Sequence, residues 1–293
     1  MNNRLELRLE VTNACNAKCL MCPREQMTRD VGVMPMGLFK KIIKNASCLG
    51  YKYVSLENYG EPFLDPHLAE RAGLVRDLGF TVMTITNGSK ILTNIRTAQL
   101  FHKIRISLSA HTRATFEKVE PGISYEDVIA GLEKLLSLAR RPIIELSWVL
   151  LAENKHEVEE WFDFWKGRVD KVSVWKPHNW IIGREYREPR GQRTSCLRPK
   201  NGPLQVHWDG KVVPCTFDFD SHLVIGNLNS QTIEEVLEGD KCRNLIAAHD
   251  RREFPFPCAV CDQTWEHNDA CVMSTAEDVD MKALNTFGLK LER

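Results

Sequence analysis

Between residues 5 and 180, six short runs of β-forming residues alternate with helical patterns, and this alternation constrains the fold more than any other feature. Residues 5–11 read Leu-Glu-Leu-Arg-Leu-Glu-Val, the period of two that marks a half-buried strand. Further strands are expected at 52–56, 80–86, 103–108, 142–151 and 171–175. Helical patterns occupy 37–48, 66–78, 94–102, 125–140 and 154–168. Thr93 and Ser124 read as N-caps, and Asp65-Pro66 as a cap with proline at the first helical position. Gly79 and Gly167 suit helix ends. Such alternation requires parallel strands joined by right-handed crossovers. The class is therefore α/β, and periodicity leaves a partial barrel and an open sheet equally open. In either, ligands gather at the C-terminal ends of the strands.

Composition narrows the function. The chain has 293 residues, 43% of them apolar, with 39 basic and 39 acidic side chains and zero formal net charge. That is too apolar and too balanced for a disordered chain. The longest apolar stretch, around 146–152, falls far short of the roughly 20 residues that cross a bilayer, so no membrane partner is expected. Without a basic excess, no nucleic-acid partner is expected either. The first residues, Met-Asn-Asn-Arg-Leu-Glu, carry no apolar signal region, and a cytoplasmic location follows. Against this background ten cysteines are too many. A chain of this length needs no disulfides to fold, so metal or redox chemistry is the use to look for.

Three cysteines, Cys15, Cys19 and Cys22, follow the first strand; after Cys48 there is none until Cys196. Three thiolates at these gaps converge on one cuboidal iron–sulfur cluster and leave its fourth iron without a protein ligand. Structural zinc would want a fourth ligand, and no His or Cys nearby completes a set. From about residue 181 the pattern changes. Residues 181–194 read as a linker, Asp209-Gly210 as the turn of a hairpin, and 232–248 as a helix. The hairpin brings Cys215 to a strand end, where it can meet Cys196, and Cys258-x-x-Cys261 supplies two more thiolates. Four cysteines suit a fully ligated 4Fe–4S cluster or a structural zinc, and spacing alone does not separate the two.

Cys15-Asn16-Ala17-Lys18-Cys19-Leu20-Met21-Cys22-Pro23, after a first strand, resembles the signature of the radical S-adenosylmethionine (SAM) enzymes. Gly60-Glu61-Pro62 follows the second strand as the family's Gly-Gly-Glu-Pro does, with Tyr59 in place of the first glycine. Thr86-Asn87-Gly88 ends the third strand, and Ser107-Leu108-Ser109 the fourth, where family members often touch the SAM ribose or carboxylate. The family's aromatic residue before the last cluster cysteine is Met21 here, whose thioether also packs on a ring. The resemblance implies a SAM-contact set of Met21, Tyr59, Gly60, Glu61, Pro62, Asn87, Ser107, Ser109 and Leu151. It implies a partial (β/α)6 TIM-like barrel over 1–185. It also implies the family's chemistry: SAM chelates the open iron, one electron breaks a C–S bond, and a 5′-deoxyadenosyl radical takes a hydrogen atom from substrate. An electron donor such as flavodoxin or ferredoxin is implied as a partner.

The C-terminal cysteines resemble the SPASM and Twitch auxiliary-cluster domains. Nine residues separate Cys261 from Cys271 where the full SPASM motif has five, so the shorter Twitch form fits better. That form implies a small domain of hairpin plus helix over 186–293, with one auxiliary 4Fe–4S cluster on Cys196, Cys215, Cys258 and Cys261; Cys271 is a possible substitute ligand. The layout is similar to that of the Twitch aminocyclitol dehydrogenase of butirosin biosynthesis. The reaction this implies is oxidation of a secondary alcohol on a small sugar or cyclitol to a ketone, with the auxiliary cluster accepting the electron. His178 and Arg184, beyond the sixth strand, are candidates for the base and for substrate hydrogen bonds; Trp175, Trp180 and His111 read equally well as packing residues. A radical epimerase with a cysteine hydrogen donor is the alternative, with Cys271 and Cys242 as candidate donors and Cys48 as a core residue. A peptide maturase is a third reading. The first strand begins near residue 5 and leaves no leader-binding module, which favours a small-molecule substrate. A non-catalytic electron carrier would hold clusters without cleaving SAM.

Overall fold

The computed structural model describes residues 5–188, 190–267 and 271–275. The strands are β1 (Glu6–Leu9), β2 (Tyr53–Leu56), β3 (Thr81–Thr86), β4 (Lys103–Ser107), β5 (Ile143–Val149), β6 (Lys171–Trp175), β7 (Arg190–Arg193), β8 (Leu204–Val206), β9 (Lys211–Val213), β10 (Gly226–Asn227), β11 (Trp265–His267) and β12 (Cys271–Ser274). The helices are α1 (Met36–Ser47), α2 (Leu68–Asp77), α3 (Ile95–Ala98), α4 (Arg113–Val119), α5 (Tyr125–Leu136), α6 (Val158–Trp165), α7 (Arg198–Asn201), α8 (Ile233–Leu237) and α9 (Asp240–Asp250). Strands β1 to β6 pair in chain order, all parallel, as the α/β alternation requires.

The two faces of this sheet differ in chemistry. Leu7, Leu9, Ile104, Ile106, Leu146, Trp148, Val172 and Val174 are fully buried in the apolar core. Helix residues such as Phe39, Leu132 and Trp161 belong to the same core, with the rings of Trp148 and Trp161 5.0 Å apart. The alternate residues carry charge. Arg8 contacts Glu57 at 2.7 Å and Glu6 at 2.9 Å. Glu145 gathers Lys103 at 2.7 Å, Arg105 at 3.0 Å and Lys171 at 3.5 Å. Parallel strands covered on both faces usually read as continuous apolar runs. Here the alternation survives because the inner face is a charged lumen. Arg105 on β4 acts electrostatically on Glu6 on β1, three strands away. At about 4.8 Å per strand a flat sheet would hold them apart, so the sheet curls into a partial barrel.

The expected hairpin forms, with Gly210 in the left-handed region at φ 88°, but it does not stand apart. Strand β8 runs parallel beside β1, and β12 runs antiparallel beside β6, so one ten-stranded sheet passes through both ends of the chain. Other local expectations shift. The short helix α4 was not expected; Thr112 caps it by accepting from the Thr115 amide. The stretch 94–102 yields only the four-residue α3, with Asn94 rather than Thr93 at the N-cap position and no side-chain capping bond. The helix expected after Pro66 starts at Leu68, because the Asp65 carboxylate accepts from the His67 amide and pairs with buried Arg71 at 2.6 Å. The 232–248 helix breaks at Gly239 into α8 and α9. The 181–194 linker contains β7, paired with β11. Residues 1–4 and 276–293, the ends of the two expected domains, lie outside the described residues.

Burial would raise the Glu145 pKa, but Arg105, Lys103 and Lys171 outweigh it and hold it at about 2. A depressed carboxylate contributes stability that is present above its unfolded pKa and is lost as pH falls from about 4.5 toward 2. Glu145→Gln leaves three cations without their shared carboxylate. It is expected to lower unfolding stability by about 3 kcal/mol at neutral pH. Urea titrations should show this, together with a shallower loss of stability in that acid window than in the unmodified chain.

Candidate cofactor site at the barrel mouth

The triplet cysteines sit on the loop that leaves β1. The loop is held from several sides. Thr12 Oγ1 donates to the Gly32 carbonyl at 2.8 Å, and Asn13 exchanges hydrogen bonds with Asp30 and Gly32. The Lys18 and Leu20 amides donate to Pro121 and Val119, which follow and end α4. Trp180 Nε1 donates to the Met21 carbonyl at 2.9 Å, and Arg184 reaches the carbonyls of Leu20 and Cys22. These bonds fix the backbone of the loop, and Cys15 Sγ accepts from the Ala17 amide at 3.4 Å. Burial pushes the Cys19 thiol well up, with Glu120, Cys22 and Cys15 adding to the shift. Burial pushes Cys22 up to about 11 and also raises Cys15.

The Gly60-Glu61-Pro62 turn closes against this loop. Gly60 has φ 94°, and a Cβ there would lie 2.5 Å from the Thr12 carbonyl and 2.7 Å from that of Ala14. This position admits glycine for both reasons. The Glu61 amide donates to the Ala14 carbonyl at 2.7 Å. Its carboxylate, 1% exposed, accepts from the Phe63 amide, the Thr86 hydroxyl and the Asn87 amide at 3.0, 2.7 and 2.8 Å. Asn87 Nδ2 in turn donates to Asn16 Oδ1 at 3.0 Å and stands 4.0 Å from Cys15 Sγ.

Cys196, Cys215, Cys258 and Cys261 form a second group. Burial raises the Cys258 and Cys261 thiols far above their usual range, and Cys215 and Cys196 contribute to both shifts. Burial raises Cys215 to about 11, against the nearby Arg198 guanidinium. Cys271 is not among the larger contributors to these shifts. All ten cysteines are free thiols. Among the described residues, no three His, Cys, Asp or Glu side chains converge as a single ion requires. Zinc thiolates sit about 2.3 Å from their metal, so four must crowd together. Four buried thiols whose deprotonation is opposed need a cationic centre to take them up, and four thiolates suit a fully ligated cluster.

An aromatic group lies between the two thiol sets. Tyr59 packs against Trp180 and Phe219, and its hydroxyl donates to the carbonyl of Thr216, next to Cys215. Cys22 and Cys215 both act electrostatically on its phenol. Asn58 joins Thr216 and Glu10, and the Arg29–Glu10 pair at 2.8 Å completes the docking.

The structure disposes the expected site residues unevenly. Met21, Gly60, Glu61, Pro62, Asn87 and Ser107 surround the triplet loop or end neighbouring strands. Ser109 is engaged internally, accepting from the Val149 amide and reaching Glu120. Leu151 is buried, with its amide on Asn154 Oδ1. His178 is set edge-on between Trp180 and Phe217, and burial keeps its imidazole strongly neutral. Arg184 binds loop carbonyls, so it acts as a brace rather than a base. Cys242 is 1% exposed and packs in the apolar core, and Cys48 is exposed rather than core. His111 directs its amide to Glu157 and its ring to Phe164. Glu120 went unread in the sequence: burial raises its pKa to about 7, and no motif announces a lone glutamate after a short helix.

The Radical SAM superfamily profile matches residues 9–164, and that of SPASM, an iron–sulfur cluster-binding domain, matches residues 196–262. The chain belongs to the radical SAM superfamily. Within it, the chain is a SAM-dependent enzyme with a SPASM-type domain, and it uses a SAM-binding 4Fe–4S cluster, an auxiliary cluster and SAM. Its relatives are distant. It is 25% identical over 163 residues to a probable GTP 3′,8-cyclase of Methanothermobacter thermautotrophicus, covering 55% of this chain and 53% of that one. The chain thus spans about half the length of such relatives. A cofactor-modifying protein of the tungsten-containing aldehyde ferredoxin oxidoreductase of Pyrococcus furiosus is 23% identical over 252 residues, 71% of this chain and 70% of that one. In fold, BtrN in complex with AdoMet and 2-DOIA matches with TM-score 0.60 at 21% identity, over 93% of this chain and all of that one. SuiB of Streptococcus suis bound to its precursor peptide SuiA matches with TM-score 0.70 at 14% identity, over 89% of this chain and 70% of that one. No helix among the described residues is long and apolar enough to cross a membrane.

Gly60→Ala is expected to displace the Thr12–Ala14 segment and weaken the first cluster. Anaerobically reconstituted variant should retain about half the iron of the unmodified chain, roughly four of eight atoms.

Proposed function

We propose that the chain is a radical SAM dehydrogenase that oxidises a secondary alcohol of a small polyol, a sugar or cyclitol, to a ketone. The observation that carries this reading is the coupled group of Cys196, Cys215, Cys258 and Cys261. Four thiolates complete the ligand set of a cuboidal cluster, which leaves no iron open to substrate and favours a role as electron acceptor. In this reading Cys15, Cys19 and Cys22 hold the other cluster and leave one iron to SAM. Bound SAM supplies the 5′-deoxyadenosyl radical. The carbinol hydrogen atom would go to that radical and the hydroxyl proton to a base or to water, while Cys196, Cys215, Cys258 and Cys261 would hold the cluster that takes up the remaining electron. The residues of the chain orient and seal: Gly60 and Glu61 fix the cysteine loop, and the Tyr59–Trp180 contact closes the space between the thiol sets. The likeness in fold to BtrN over the whole of that chain supports the reading, as does the cysteine layout. A flavodoxin- or ferredoxin-class protein serves as reductant.

Anaerobic turnover with an aminocyclitol should give 5′-deoxyadenosine and ketone in equal amounts; deoxyadenosine without any two-electron-oxidised product refutes the reading. Iron analysis checks the ligand sets separately. Cys258→Ala with Cys261→Ala should lose about four of roughly eight irons and keep SAM cleavage.

Epimerisation is the second reading, and one observation favours it. Cys271 on β12 stands opposite Trp175 at the C-terminal end of β6, beside the barrel mouth. Solvent deuterium in the product, lost in Cys271→Ala, is the outcome that would establish it.

A further inference from the structure

Four serines lie side by side across the wall of the barrel. Ser107 on β4 stands opposite Ser147 on β5, Ser147 opposite Ser173 on β6, and Ser173 opposite Ser274 on β12. Their neighbours Ile106, Leu146, Val172 and Val174 face the helices in the apolar core. The serines of β4, β5 and β6 therefore face the lumen. Directly below them is the charged row of Arg105, Glu145 and Lys171, and directly above are Val149, Trp175 and Cys271.

Serine is a poor choice for consecutive positions in a central sheet, where β-branched residues pack better. A hydroxyl taken out of water also costs free energy unless it is bonded. Of the first three, Ser173 meets Glu145 Oε1 at 3.2 Å, whereas Ser107 and Ser147 make no side-chain hydrogen bond among the described residues. Ser147 is 8% exposed, so its side chain is held within the fold rather than on the outer surface. The row also lies level with the cofactor site. Thr86 pairs with Ile106, which puts Asn87 beside Ser107, and Asn87 Nδ2 is 4.0 Å from Cys15 Sγ.

We infer that Ser147 and Ser173, the part of this row next to Ser107 of the SAM-contact set, form the subsite for the hydroxyl groups of the substrate, with Ser147 as its central contact. Small side chains leave the room, and their hydroxyls both donate and accept, as a polyol requires. Adjacent strands stand about 4.8 Å apart, a spacing that suits alternate equatorial hydroxyls on a six-membered ring. The inference deepens the polyol reading and rests on it for the substrate class.

Calorimetry on the anaerobic holoenzyme with SAM, using scyllo-inosamine and myo-inositol as probes, tests it apart from turnover. Ser147→Ala should weaken binding of at least one probe by about tenfold, the weight of one hydrogen bond. Ser147→Leu should abolish binding, and Ser147→Thr, which keeps the hydroxyl, should bind more tightly than Ser147→Ala. Visible cluster absorbance identifies variants that have folded and loaded; if Ser147→Leu fails there, Ser147→Ala decides. Undiminished binding in the Ala or Leu variant overturns the inference, as does failure of both probes to bind the unmodified enzyme. Ser147-dependent binding without ketone formation upholds the subsite and refutes the oxidation. Ketone formation with undiminished binding in Ser147→Ala refutes the subsite and leaves the oxidation standing.

Discussion

The carboxylate of Glu61 is buried without a cation, and the three hydrogen bonds it accepts all lie at the mouth of the barrel. One oxygen serves the Thr86 hydroxyl and the Phe63 amide, and the other serves the Asn87 amide. Burial raises its pKa, and these three donors oppose the rise. The residue therefore clamps the end of β3 to the turn after β2, while its own amide grips the Ala14 carbonyl. A single side chain thus sets the relative positions of Cys15, Gly60 and Asn87. A carboxylate bound by amides at fixed places is more exacting than apolar packing, because each lost bond leaves a buried polar group unpaired.

The thiols depend on that frame in a physical sense. Brought together and desolvated, they resist ionisation, and each ionised neighbour makes the next harder to form. The fold has to hold them in this costly arrangement until cationic iron offsets it. This explains why so many hydrogen bonds fix backbone around the triplet loop, from Asn13 on one side to Trp180 and Arg184 on the other. It also explains the continuity of the sheet. Because β8 lies beside β1, the segment that carries Cys215 shares its frame with the segment that carries Cys15.

The legible part of the sequence was the part governed by local rules. Alternation located β1 to β6, Ser124 caps α5 as read, and Gly79 and Gly167 take positive φ. Asp209-Gly210 marked its turn. What local rules do not encode is which edges meet. Nothing in the three residues of β8 declares that they will pair with β1, since the pairing is decided by the open edge of a partial barrel rather than by their own pattern. The site divides in the same way. The cysteines were readable because metal ligation imposes spacing. The actual duties of Arg184 and Tyr59, bonds to backbone carbonyls on remote segments, leave no spacing to read.

The lumen shows what the alternation in β1 had concealed. Leu-Glu-Leu-Arg-Leu-Glu looks like a strand with one face in water, and the structure instead turns that face inward. A charged interior costs stability unless every ion is paired, and Glu145 meets this by gathering three cations on one carboxylate. Apolar residues at these positions would fill and dry the lumen. Above the charges the wall narrows to serine hydroxyls, small enough to leave space and polar enough to hold a hydrated ligand. In the proposed reading, enclosure by the sheet would keep bulk water from a carbon radical, while the polar lining would let a hydrophilic substrate exchange its water for protein. The same alternation therefore builds the apolar core on its outer face and, on the proposed reading, a binding surface on its inner one.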